Sequence, residues 1–313
     1  MGAGHNHGPT DPASSDSSLR VRLAIAFVLT GIIVVAQLVG SVITGSLALL
    51  TDTAHAATDA IGLAVALVAA TVMHRPVSKT RTWGLRRIEV IAALGQASLL
   101  LAVGLYAAVE GVRRLLAPPE VPSTELLIFG IIGLVANIVA MLVLASGRGA
   151  NFNMRAAFLE VLNDALGSLG VIVAAIVIAT TGFQQADALA GLFIALLIAP
   201  RALKLMAETT RVLMEFTPRE IDLDDVRAHI LEMDRVQDVH DLHASTVATG
   251  LPIISAHVVV DDDCFQDGHA PTILNDIRTC VATHFAISFE HSTFQLETSA
   301  QRHQEEALAA HHP

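Results

Sequence analysis

His55 with Asp59, and Glu160 with Asp164, are pairs of metal-ligand residue types, each spaced four apart inside a long apolar stretch. On a helix that spacing stacks both side chains on one face, a turn apart. A carboxylate at membrane depth costs on the order of 2.5–3.5 kcal/mol even on lenient insertion scales. These groups therefore need a counter-charge, and a divalent cation shared by two helices supplies it. One imidazole and three carboxylates offer nitrogen and oxygen donors, which in a tetrahedron suit Zn²⁺ at about 2.0–2.2 Å. The ligands must be deprotonated to bind, so metal binding is coupled to protons. The plainer alternative is that these residues tie helices together by hydrogen bonds. Two pairs of ligand type in separate stretches favour the ion. Asp52 lies nearly over Asp59, because seven residues turn a helix by about 700°. Its role stays open between outer ligand, proton acceptor and solvated residue near a helix start.

The elements that must position these groups are membrane spans. The chain of 313 residues is 53% hydrophobic and only 16% charged. Its mean hydropathy is +0.58. Soluble globular chains average about 25% charged residues, which excludes that class. Six stretches fit a crossing of roughly 20 residues: 23–43, 47–73, 88–115, 125–145, 156–180 and 186–205. Short separators rich in Gly and Pro divide them. Arg and Lys gather before the first span, between the second and third, between the fourth and fifth, and after the sixth. Arg201, Lys204 and Arg211 form that last group. The opposite side has only Arg113 and Arg114. The bias predicts both termini in the cytoplasm. A net charge of −11 argues against nucleic acid as a partner. Cys264 and Cys280 lie far apart, so neither a disulfide framework nor a CxxC knuckle is expected.

Beyond about residue 209 the pattern changes. Helical runs at 223–233 and 269–285 alternate with strand-like runs at 236–247, 252–260 and 288–296. The order α-β-β-α-β predicts a small cytoplasmic α+β domain, ferredoxin-like in arrangement, with Val239, Leu242, Ile254, Val258, Val260 and Phe294 as apolar content. The expected domains are a polar N-terminal tail (1–19), a six-helix transmembrane domain (20–208), the cytoplasmic domain (209–299) and a His-containing tail (300–313).

Several stretches together resemble the cation diffusion facilitators, in the branch of zinc and cobalt–zinc–cadmium efflux proteins. They are GSLALLTDTAHAATDAIGL, TWGLRRIEVIAAL, RAAFLEVLNDALGSLGVIVAA, VHDLHASTVATGLPIISAHVVV and HSTFQLE, in order from about residue 20 to residue 297. The resemblance implies a six-helix domain with a metallochaperone-like cytoplasmic domain, homodimerisation, and export of divalent metal against protons across a plasma (inner) membrane. By position, the family's transport ligands fall on His55, Asp59, Glu160 and Asp164. Glu160 departs from the His usual in zinc transporters, which hardens the donor set. Zn²⁺ remains the first expectation, with Co²⁺, Cd²⁺, Mn²⁺ and Fe²⁺ as alternatives. The family's cytoplasmic metal positions fall on His240, His257, His269 and Glu297, with Gln295 where some relatives carry a further His. Surface histidines on a sheet edge are the plainer reading there. No cofactor is expected besides transported and regulatory metal. An intramembrane metallohydrolase would want a motif such as HExxH, which is absent. A non-transporting metal sensor is the remaining alternative.

Overall fold

The computed structural model describes residue 28 and residues 30–73, 78–145 and 152–309. The N-terminal tail with His5 and His7, the basic residues Arg20, Arg22, Arg75 and Arg148, and the terminal His311 and His312 lie outside the described residues. The chain divides into two compact units, 1–68 with 95–206, and 69–94 with 207–313.

The first unit is built from six helices. They are α1 (Thr30–Thr44), α2 (Leu47–Met73), α3 (Ile88–Leu116), α4 (Ser123–Ala145), α5 (Phe152–Thr181) and α6 (Gln185–Leu213). Four of them, α3, α4, the stretch Phe158–Thr181 of α5, and α6, are long and apolar enough to cross a membrane. Their outward faces carry large apolar side chains: Val42 is 78% exposed and Leu196 69%. The inside holds Gln37, Asp52, His55, Asp164, Ser168 and Asp187, all buried. Apolar outside and polar inside is the distribution a lipid solvent selects. Small residues let the helices approach. A side chain on Gly133 of α4 would meet Gln37 and Ser168, and one on Gly130 would meet Val171 and Ile172 of α5.

The second unit contains a three-stranded sheet in the order β1-β2-β3, with β1 Val236–Ala248, β2 Leu251–Val260 and β3 His291–Glu297. β1 and β2 form an antiparallel hairpin that turns at Gly250, whose φ of 71° suits a residue without Cβ. β3 runs parallel to β2, as a strand reached through a crossover helix can. Helix α7 (Leu223–Leu231) starts where the Asp222 carboxylate accepts from the Asp224 amide. A single turn, α8 (Cys264–Asp267), leads to the crossover helix α9 (Ala270–Thr283). α9 buries Ile273, Ile277, Cys280 and Val281, a helical stripe. With Val226, Ile230, Val239, Ile254, Val258, Val260 and Phe294 they make one core. Leu242 packs at its edge, only partly buried. Residues 299–309, expected to be a tail, form helix α10 instead. Both cysteines are free and buried.

Candidate metal centre

Helix α2 places His55 and Asp59 one turn apart, and α5 brings Asp164 against them. His55 Nε2 lies 3.4 Å from Asp59 Oδ2 and 3.5 Å from Asp164 Oδ1. All three atoms are within 4.8 Å of one another. A tetrahedron of bonds about 2.1 Å long has edges of roughly 3.4 Å, so the spacing is that of ligands around an ion. Asp59 Oδ2 and Asp164 Oδ1 are buried and accept no hydrogen bond, and His55 Nδ1 is likewise unmatched. Buried polar atoms normally find partners. Two buried carboxylate oxygens gathered around one imidazole nitrogen, neither taking a hydrogen bond, make a cation's environment. A small cavity of about 20 Å³, lined among others by His55, Asp52, Asn163, Gly167 and Arg201, adjoins the cluster. That is room for one water-sized particle.

Glu160 stands one step outside the trio. It neighbours Asp59, but its Oε1 takes Nη2 of Arg201 at 2.8 Å, while Nη1 of the same guanidinium is 3.6 Å from Asp59 Oδ2. Asp52 is turned elsewhere: Gln37 Nε2 donates to it at 2.7 Å and Ser168 Oγ at 3.3 Å. A side chain on Gly167 would collide with this carboxylate, so glycine is required there. Gln96 Nε2 donates to Asp59 Oδ1 at 3.4 Å, and Asn137 Nδ2 to Ser168 Oγ at 3.4 Å. Asp187, at the start of α6, caps α2 from outside it. Its carboxylate accepts from Ser46 Oγ, from the Leu47 amide at 2.6 Å and from the Ala48 amide at 3.3 Å. An acid at a helix N-terminus satisfies orphan amides and the helix dipole together.

The C-terminal unit holds a second cluster, set by sheet register. His240 of β1 pairs with His257 of β2, and His257 with Gln295 of β3. Glu297 follows two residues on, on the same face, and is completely buried. His240 Nε2 is 3.2 Å from Glu297 Oε2, and His257 Nδ1 is 2.8 Å from Glu297 Oε1. Gln295 Nε2 also donates to Oε1, at 2.7 Å. The ligand atoms of His240, His257 and Glu297 lie within 4.8 Å of one another. His269 is not among them. It precedes α9, where its amide and Nδ1 both meet Asp267 Oδ1, at 3.0 and 2.8 Å.

Residues 23–214 match the family described as cation efflux transmembrane domain, and residues 218–299 the cation efflux protein, cytoplasmic domain. The chain belongs to the cation efflux family. It is 38% identical over 312 residues to the metal cation efflux system protein CzcD of Cupriavidus metallidurans, covering all of this chain and 94% of that one. It is 35% identical to the cadmium, cobalt and zinc/H(+)-K(+) antiporter of Bacillus subtilis, over 96% of this chain and 94% of the relative. The zinc transporter ZitB of Yersinia pseudotuberculosis is 36% identical over 91% and 89% of the two chains. Family and apolar helices together make this a multi-pass membrane protein with the architecture of a cation efflux carrier.

Within this cation efflux chain, five residues have surroundings that spacing and composition do not show. Arg201, grouped by sequence with charges following the sixth span, lies inside α6, which continues to Leu213. Its signal was the spacing, four and three residues on from the buried Ile194 and Ile198, which puts Arg201 on their face of α6. Asp241 sits at a bulge in β1 with φ 49°, 3.8 Å from His257 Nε2. A hydrogen bond from His243 holds its carboxyl below the usual carboxylate range. Glu89 meets Thr249 Oγ1 at 2.9 Å rather than its neighbouring arginines, and Arg87 pairs with Glu215 at 2.6 Å. Trp83 stands edge-on to His291 with ring centres 5.6 Å apart.

Proposed function

We propose that this cation efflux protein exports a divalent metal ion, Zn²⁺ foremost, in exchange for protons, with the cargo held between α2 and α5. The single observation that carries the reading is the pair of buried carboxylate oxygens without hydrogen bonds, Asp59 Oδ2 and Asp164 Oδ1, set 3.4 and 3.5 Å from His55 Nε2, which are edge lengths of a metal tetrahedron. Glu160, one turn from Asp164 on α5, supplies the fourth ligand once it leaves Arg201. The names of the relatives, which speak of zinc, cadmium and cobalt, support the same cargo class. A set of one imidazole and three carboxylates is harder than a two-imidazole site. Co²⁺ and Cd²⁺, and with them Mn²⁺ and Fe²⁺, therefore compete with Zn²⁺ here.

The exchange follows from the ligands. Each carboxylate that releases the ion into a water-filled mouth is left buried and charged, and a proton is the particle small enough to neutralise it. Alternating access puts loading and proton entry on opposite sides of the membrane. The bias of Arg and Lys supports a topology with both termini in the cytoplasm, the carrier lying in the plasma (inner) membrane. His240, His257 and Glu297 would hold a second, regulatory divalent ion. Their donor set fits one, although the metal-free cluster is already hydrogen-bonded. The C-terminal domain serves as the contact of a homodimer, and no enzymatic step is assigned to either cluster.

The test is full-length protein in proteoliposomes, with a metal dye and a pH dye on opposite sides. Zn²⁺ flux accompanied by proton counterflow is expected. Asp59→Ala and Asp164→Ala are each expected to cut flux by about 100-fold or more while leaving the dimer mass unchanged. Tight Zn²⁺ binding without flux in the native protein would turn the reading into a sensor. Native-level flux in Asp164→Ala would remove the site.

A further inference from the structure

Arg201 is a cation already inside the candidate site. Its guanidinium reaches two carboxylates on two different helices, Glu160 of α5 at 2.8 Å and Asp59 of α2 at 3.6 Å. It lines the same small cavity as His55 and Asp52. Charge counting shows what this does. With His55 neutral, Asp59, Glu160 and Asp164 carry three negative charges, one more than a divalent ion cancels. Arg201 supplies the missing positive charge, so the ion, its ligands and Arg201 together sum to zero, while Asp52 on the same cavity is held apart by Gln37 and Ser168. When the ion leaves, the guanidinium remains a positive group in contact with two of these carboxylates. We propose that Arg201 is the resident counter-ion of the transport site, paired with Glu160 and Asp59 when no metal is bound and competing with the metal for both. It is a positioning residue that acts through Glu160 and Asp59 and does not touch the cargo.

Two further features fit this role. Pro200 precedes Arg201 inside α6. A proline there removes one helical hydrogen bond and loosens the backbone that carries the guanidinium. The fork of an arginine can also hold two carboxylates at once, which an ammonium does less well. As the ion settles against Asp59, its charge repels the guanidinium one ligand away. The Arg201–Glu160 pair then parts, and Glu160 is freed to complete the coordination.

The inference rests on the metal-transport reading, but its test does not need flux. Zn²⁺ affinity and metal-free melting temperature are measured on full-length protein in detergent, and flux separately in vesicles. Arg201→Gln removes the competitor and leaves surplus negative charge. It is expected to bind Zn²⁺ about tenfold more tightly or better, to turn over more slowly, and to melt about 5–10 °C lower without metal. Glu160→Gln alone is expected to bind Zn²⁺ more weakly than the native protein. The double variant restores the balance of charge. Its affinity is expected within about threefold of native, with most of the lost melting temperature recovered. A purely structural arginine would instead weaken binding when removed, and Glu160→Gln would not rescue it. Weaker or unchanged affinity in Arg201→Gln, or a double variant no better than the single, overturns the proposal. If Arg201→Gln fails to fold, the double variant must still fold and bind, and its failure is equally fatal. Affinities that move as expected in a protein that carries no metal would sink the transport reading and leave the counter-ion.

Discussion

In the helical unit, Asp59 Oδ2 and Asp164 Oδ1 are buried beside His55 Nε2 and accept no hydrogen bond, although the Arg201 guanidinium stands 3.6 Å from the former. In the C-terminal sheet Glu297, buried as deeply, is met by His240, His257 and Gln295. Both clusters are built from histidine and carboxylate at similar spacing. One is complete without an ion and the other is not. The sheet achieves this because strand register places three donors around one acid. The helices cannot, because α2 and α5 each present only one ligand-bearing face and have no backbone donors to spare. A satisfied cluster can lose its metal and stay in place. An unsatisfied one has to bind, take up protons or rearrange when it empties, which is what a carrier needs and a scaffold avoids.

The sharpest way to break this contrast is to disable one acid from each cluster. Asp164→Ala is expected to lower metal flux by about 100-fold or more, Glu297→Gln by no more than about threefold, both read in the same vesicles. Equal losses would mean that the clusters do not have separate tasks. Stability should show the reverse order. Truncating Glu297 to Ala strands two histidines and a glutamine around a void, at a cost of about 2–4 kcal/mol. Denaturant unfolding followed by a probe in the C-terminal domain would measure it. A smaller effect is expected from Asp187→Ala, which uncaps α2 at a cost of about 1–2 kcal/mol. Thermal unfolding of the purified carrier would report that loss.

The smallest expected effect is one of pH. Hydrogen bonds from Arg235 to Asp267, and from His243 to Asp241, hold both carboxyls below their usual range. A depressed folded-state pKa adds stability above the unfolded value of about 3.9, and that stability is lost as pH falls through the lowered folded value. The melting temperature of the C-terminal domain should therefore be flat from pH 7 to 5 and decline only below about pH 4. Both groups are largely exposed, so solvent screening keeps the decline shallow. A drop beginning near pH 6 would point to the histidines instead.

Much of this architecture could be read from the chain. His55, Asp59 and Asp164 were legible because a four-residue spacing fixes a helical face, and because acids in apolar stretches demand a reason. The α-β-β-α-β order was legible because Val, Ile and Thr are frequent in the strand runs and α9 has an apolar stripe. Three things were hidden by physics that no local pattern carries. Arg201 was counted with the basic charges at the end of the sixth span, since a charge count does not show that its guanidinium turns to Glu160 and Asp59. Asp241 came near His257 only through a bulge, and bulges depend on cross-strand partners. His269 and the trio are separated by a turn whose path follows from the ion pair of Arg235 with Asp267. Glu160 lay where its spacing put it, one turn from Asp164, but its partner could not be guessed.

The carboxylate of Asp187 has a consequence for how the bundle can move. It grips the first amides of α2 from α6, and about 21 Å further along α6 the guanidinium of Arg201 leans on Asp59 of α2. The first fastening does not involve the transport ligands, whereas the second is shared with Glu160 of α5 and, on the counter-ion proposal, loosens when a metal takes these carboxylates. A loaded site would then leave α2 held to α6 at its first turn alone, and an emptied one would clamp α2, α5 and α6 together.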